Sequence, residues 1–112
     1  MKKLLLLVAF LYAGFCIAGT GTGKITGVIP YTKSSGEKIF FIKVEQSVDS
    51  PSCNVTNRFV LSDTNPSFST TVSAALAAYH AKTEVKVIAA GSCNYWSNSE
   101  DAKHICFGDI AC

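Results

Sequence analysis

The sequence predicts a small, mainly β domain of the α+β class: a five-stranded antiparallel barrel with one helix between its third and fourth strands. Three observations carry this expectation. Short runs that alternate apolar and polar residues recur between turn-forming segments. A single amphipathic stretch of helical period interrupts them. The chain is also short, at 112 residues, with 48% hydrophobic and 16% charged residues, a composition that folds as one domain and does not stay disordered.

An address precedes the domain. Met1-Lys2-Lys3 is a positive start, Leu4 to Phe15 an apolar run, and Cys16-Ile17-Ala18 places small residues at −3 and −1 of a cleavage point before Gly19. Residues 1–18 therefore read as an export signal of bacterial style, with 19–112 as one domain in the periplasm or beyond. A membrane anchor would need about 20 apolar residues. Here the run stops at Gly19-Thr20-Gly21-Thr22-Gly23, so no span is expected. A lipid-modified Cys16 would follow a small residue, and Phe15 is bulky.

The first strand is expected over Lys24 to Lys33, with Ile25, Ile29 and Tyr31 on one side, Gly27 at a bulge or bend and Pro30 at an edge. Ser34-Ser35-Gly36 supplies a hairpin turn. Lys38 to Glu45 is a second strand with Phe40, Ile42 and Val44 inward. After a polar loop, Arg58 to Ser62 forms a third, with Phe59 and Leu61 on one face. Asn65-Pro66 reads as an N-cap followed by proline at the first helical position. Phe68, Val72, Leu76 and Tyr79 then mark the apolar face of a helix over residues 66–82. Glu84 to Ala90 is a fourth strand with Val85, Val87 and Ala89 inward, and Lys103 to Gly108 a fifth. Five short strands and a helix that plugs one end make an OB-fold-like layout. An open α+β sandwich is the alternative.

Without the signal four cysteines remain, Cys53, Cys93, Cys106 and Cys112. An even count in a small exported chain reads as two disulfides. Three pairings are open. The favoured one joins Cys53 to Cys93 and Cys106 to Cys112, the latter closing a tight C-terminal loop. A zinc site with His80 or His104 finds no support in the ligand spacing, and no cofactor or metal is expected. Of the 10 basic residues two are Lys2 and Lys3, so the domain carries eight against 8 acids. A neutral domain has no basic stripe for a phosphate backbone, which disfavours nucleic acid.

Gly23-Lys24-Ile25-Thr26, the Phe-rich second strand, Cys53, the helix Ala74-Ala75-Leu76-Ala77-Ala78-Tyr79, and Val85-Lys86-Val87 before Gly91-Ser92-Cys93 form a familiar layout. It resembles small exported bacterial OB-fold proteins related to the B subunits of five-B-subunit toxins, of the subtilase and pertussis-like groups. The resemblance implies a module that binds cell-surface glycans, a homo-oligomer (a pentamer), and a Cys53–Cys93 bridge. No sugar-binding residue of that family matches a position here.

The leading candidate for ligand binding is the loop Asn94-Tyr95-Trp96-Ser97-Asn98-Ser99, two adjacent rings flanked by amides and hydroxyls. Rings stack on the apolar face of a sugar while amides meet its hydroxyls. The competing role for one of the two rings is to cover the barrel mouth or to pack against a disulfide. Tyr31 and Lys33 near the first turn could face the same side, with an ordinary exposed turn as the favoured reading of both, and Tyr79 is expected in the core with its hydroxyl at the rim. His104 follows Glu100 and Asp101, so a carboxylate could orient its imidazole. No activated nucleophile accompanies it, and the chain is not expected to be an enzyme. Asn54-Val55-Thr56 matches a glycosylation acceptor, accidental in a bacterial chain. Two functions stand: a glycan-binding module, or a monomeric periplasmic structural or inhibitor-type protein with a protein ligand.

Overall fold

The computed structural model describes residues 17–112. The export signal read over residues 1–18, with Cys16, lies outside the described residues but for Ile17 and Ala18. Five strands and one helix follow: β1 (Thr20–Thr32), β2 (Lys38–Val48), β3 (Phe59–Ser62), α1 (Phe68–Ala81), β4 (Glu84–Ala89) and β5 (Glu100–Phe107). The sheet closes in a ring in the order β1-β2-β3-β5-β4 and back to β1.

The sheet is mixed, which corrects the wholly antiparallel expectation. β3 and β5 run parallel through Phe59↔Glu100 and Val60↔Asp101, while the other four seams are antiparallel. Parity requires this. Directions cannot alternate all the way round a ring of five, so one neighbouring pair must run the same way.

β1 begins at Thr20, four residues before its expected start, because the glycines read as a flexible leader pair with both β2 and β4. Gly21 has to be a glycine, since a Cβ there would run into the Phe59 and Val44 side chains. The β1–β2 register shifts between Thr22 and Ile25 and again between Ile25 and Gly27. Gly23 takes φ +106° there, a left-handed conformation that glycine tolerates, and the freed Lys24 N–H donates to Glu45 Oε1. The shift turns the strand over. Ile25 is buried, but Ile29 and Tyr31, expected on its side, are exposed, and Val28 packs on the core. Pro30 lies beyond Lys24, the last β1 residue with a β4 partner, on the open edge that a missing N–H allows.

The inner core gathers Phe40, Ile42 and Val44 of β2, Phe59 and Leu61 of β3, and Val85, Val87 and Ala89 of β4, all expected inward, with Ile25, Ala75, Ala78 and Ala102. Full burial of a large apolar side chain is worth about 1.5–3 kcal/mol, and Ile42, Phe59 and Val87 are completely enclosed.

The helix begins two residues after its expected start. Asn65 Oδ1 accepts the Ser67 N–H and Asn65 C=O accepts the Phe68 N–H, so Asn65-Pro66 builds a turn that delivers the chain to Ser67. At the other end Lys82 adopts φ +55° and the Thr83 N–H donates to Ala78 C=O, a left-handed stop. Phe68, Val72, Ala75 and Ala78 face the core. Leu76 and Tyr79, expected there, are exposed. The small methyls at 75 and 78 let the helix sit close, and this rolls the larger side chains outward.

Both disulfides are present in the favoured pairing, Cys53–Cys93 and Cys106–Cys112. The first ties the β2–β3 loop to the β4–β5 loop. No helix among the described residues is long and apolar enough to cross a membrane.

Candidate functional site

The run Ile39-Phe40-Phe41-Ile42 is apolar on both faces. Phe40 and Ile42 point into the ring, while Ile39 and Phe41 point outward and join Val60 in a second, smaller cluster. Cross-strand pairing arranges this outer face in rows: Gly27 beside Lys43, Ile29 beside Phe41, Tyr31 beside Ile39. An apolar outer face needs a cover, and the β4–β5 loop supplies it by laying Tyr95 and Trp96 against the cluster.

The Trp96 ring meets Phe41 edge-on at 5.5 Å and Tyr31 edge-on at 5.3 Å, the geometry that ring quadrupoles favour. The Arg58 guanidinium stacks over Phe41 at 4.6 Å and donates through Nη2 to Asn98 Oδ1. Beside this stack a groove of about 190 Å³ runs between Gly27, Val28, Ile29, Phe41, Lys43 and Arg58. Nothing lies within 4 Å of the place a Cβ on Gly27 would occupy, so that glycine leaves the groove open.

The loop is held from both flanks. Asp101, buried at the start of β5, accepts the Ser92 hydroxyl at 2.7 Å, the Asn94 N–H and the Tyr95 N–H at 2.9 Å. Thr56 from the β2–β3 loop donates to Asn98 C=O at 2.8 Å and shares a hydrogen bond with the Ser99 hydroxyl. The Cys53–Cys93 bridge locks the same two loops covalently. A platform fixed in this way loses little conformational freedom when it binds.

The structure brings Tyr31, Tyr95, Trp96 and Asn98 together on one face. Trp96 and Tyr95 are half-buried, Asn94 and Tyr31 exposed. Lys33 is spent elsewhere. It pairs with Glu37 at 3.1 Å across the hairpin turn, and Glu37 also accepts the Ser62 hydroxyl. That hydroxyl first, and then Lys33, hold the Glu37 carboxyl below the usual carboxylate range.

The expectation at His104 is corrected. β5 starts at Glu100, three residues before its expected start, and Glu100 and Asp101 are buried strand residues. Their carboxylates accept backbone N–H groups of Gly19, Gly91, Asn94 and Tyr95 and not the exposed His104. The His104 ring lies near the sulfurs of Cys106 and Cys112, which are bonded to each other. Asn54 is buried with its side-chain oxygen on Thr56, an awkward acceptor for glycosylation.

Sequence reading missed Phe41 and Arg58 as partners of the aromatic loop, Gly27 and Lys43 as walls of the groove beside it, and Asp101 as the loop's anchor. The signal for Phe41 was available: four consecutive apolar residues in a strand mark burial on both faces. No protein-family profile, curated protein or solved structure matches this chain.

Proposed function

We propose that this chain is an exported, disulfide-braced binding module of OB-fold type that takes a glycan on its outer β1–β2 face. The strand order, the single parallel seam between β3 and β5, and the helix between β3 and β4 support the closed-barrel reading. Two disulfides are compatible with a periplasmic or extracellular setting.

The observation that carries the proposal is the open groove beside the Tyr31–Trp96–Phe41 stack. Its wall offers apolar surface, chiefly the exposed Ile29 with the edge of the buried Phe41, and cationic donors at Lys43 and Arg58. Arg58 Nε is buried and has no partner among the described residues. Sugar rings ask for this combination, with C–H faces against apolar surface and hydroxyls against directional donors. The reading includes the ring assembly that the toxin resemblance implies. From Ile25 to Thr32, β1 has β2 on one side and no β4 pairing on the other, an edge open to a second copy.

A glycan array of the exported domain, with light scattering for mass, tests this. Retention of a glycan class is expected, weakened about tenfold or more by Tyr31→Ala and by Gly27→Val, which fills the groove, with both variants still folded at the temperature of the assay. Retention of no glycan overturns the reading. One observation favours a protein ligand instead: Leu76 and Tyr79, one turn apart on α1, are 45% and 42% exposed. A monomeric mass, an empty array and a protein partner lost on Leu76→Ser would establish that alternative.

A further inference from the structure

Gly19 and Glu100 meet in a way that the uncut chain does not complete. Glu100 is fully buried. Its Oε2 accepts the Gly19 N–H at 2.8 Å and the Gly91 N–H at 3.0 Å. Its Oε1, also buried, has no hydrogen-bond partner among the described residues. A buried carboxylate with an idle oxygen is costly unless a charge or donor meets it.

The residue that faces it is the one the sequence places immediately after a cleavage point. Gly19 is itself buried, while Ala18 before it is exposed. Its carbonyl accepts the Ala89 N–H at 3.1 Å, so β4 fixes the position of Gly19 whether or not the preceding bond is intact. A Cβ on Gly19 would overlap Glu100 Oε1. No side chain therefore fits at position 19, and the backbone nitrogen is the group that meets the carboxylate.

We propose that Glu100 is the receptor for the α-ammonium group released at Gly19 by proteolytic processing. The inference rests on the export reading and is separate from the glycan reading. In the step, a peptidase of the export route adds water across the Ala18–Gly19 peptide bond. The hydroxyl oxygen stays with Ala18, which leaves as a carboxylate, and the Gly19 nitrogen takes up the protons to become an ammonium. An amide nitrogen offers Glu100 one proton; an ammonium offers three. One continues to serve Oε2 and a second reaches the idle Oε1, and a positive charge now sits against a buried carboxylate. Processing then completes the fold as well as releasing the domain.

The test starts with the full chain exported from a bacterial host. Intact mass should place the first residue at Gly19. The melting temperature of this product is compared with that of a chain retaining Ala18, each with and without Glu100→Gln. Retaining Ala18 should lower the midpoint by about 5 °C or more. In the E100Q background the same extension should change little, because the two alterations break one interaction. The Gly19 amine should acylate at neutral pH at least about tenfold more slowly in the folded product than in the unfolded chain, a readout that stands even where E100Q fails to fold. A first residue other than Gly19 overturns the inference together with the processing site it assumes. A Gly19 start with equal midpoints, or with a freely reactive amine, overturns the Glu100 pairing alone.

Discussion

Asp101 holds the aromatic loop from the strand that follows it. Its carboxylate gathers the Ser92 hydroxyl and the N–H groups of Asn94 and Tyr95, so the loop's shape depends on one buried acid. Asp101→Asn turns an amide N–H₂ toward groups that already donate. Leaving such buried donors unpaired costs about 1–3 kcal/mol. Trp96 is the single tryptophan, and its emission is expected to shift to longer wavelength as the loop loosens; an unchanged spectrum would refute the anchoring role. Glu37 titrates at the turn between β1 and β2. Its folded value is lowered by Ser62 and Lys33, so its stabilisation is complete above the ordinary carboxylate value and is lost as pH falls through the lowered one. Glu37→Gln should therefore lower the melting temperature near neutral pH and converge on the parent in strong acid, followed by thermal melts across that range.

At the scale of elements, α1 is the segment whose pattern misled. Leu76 and Tyr79 complete a convincing helical stripe with Phe68 and Val72, yet the buried positions are Ala75 and Ala78. Helical period says which residues share a face, and two overlapping faces were available in an alanine-rich stretch. The choice between them depends on how closely the helix can approach β1 and β5. Ala75→Leu should thus cost about 1–3 kcal/mol through overpacking, whereas Leu76→Ser should stay within about 0.5 kcal/mol. Denaturant midpoints of the two variants measure the contrast. β1 presents the converse case. Gly27 pointed to an irregularity, which is present, but the strand turned over at it and carried Tyr31 to the outer face.

For the whole molecule, the two disulfides restrain very different lengths of chain. Cys53–Cys93 spans 40 residues and Cys106–Cys112 spans 6. Loop-closure entropy gives about 4 kcal/mol for the first and about 2 kcal/mol for the second. Paired Cys→Ser replacement at 53 and 93 should thus lower stability more than replacement at 106 and 112, read by denaturant melts of the two double variants. The first pair should also weaken ligand binding, because it joins the loops that position Trp96 and Asn98; the second should leave binding unchanged.

Of the three disulfide pairings open to the sequence, the molecule adopts the favoured one; the five strands and their order, the inward set of β2, β3 and β4, and the hairpin turn are legible in the residues themselves. These are local properties. Alternation, helical period and turn chemistry are written in neighbouring residues. Tertiary structure alone decided the parallel seam, the outer cluster of Ile39, Phe41 and Val60 under Trp96, and the burial of Glu100 and Asp101. Ring closure sets the first, and the other two depend on partners far along the chain. A charged pair such as Glu100-Asp101 reads locally as solvent-facing loop, and only the distant N–H groups that it accepts explain its place inside.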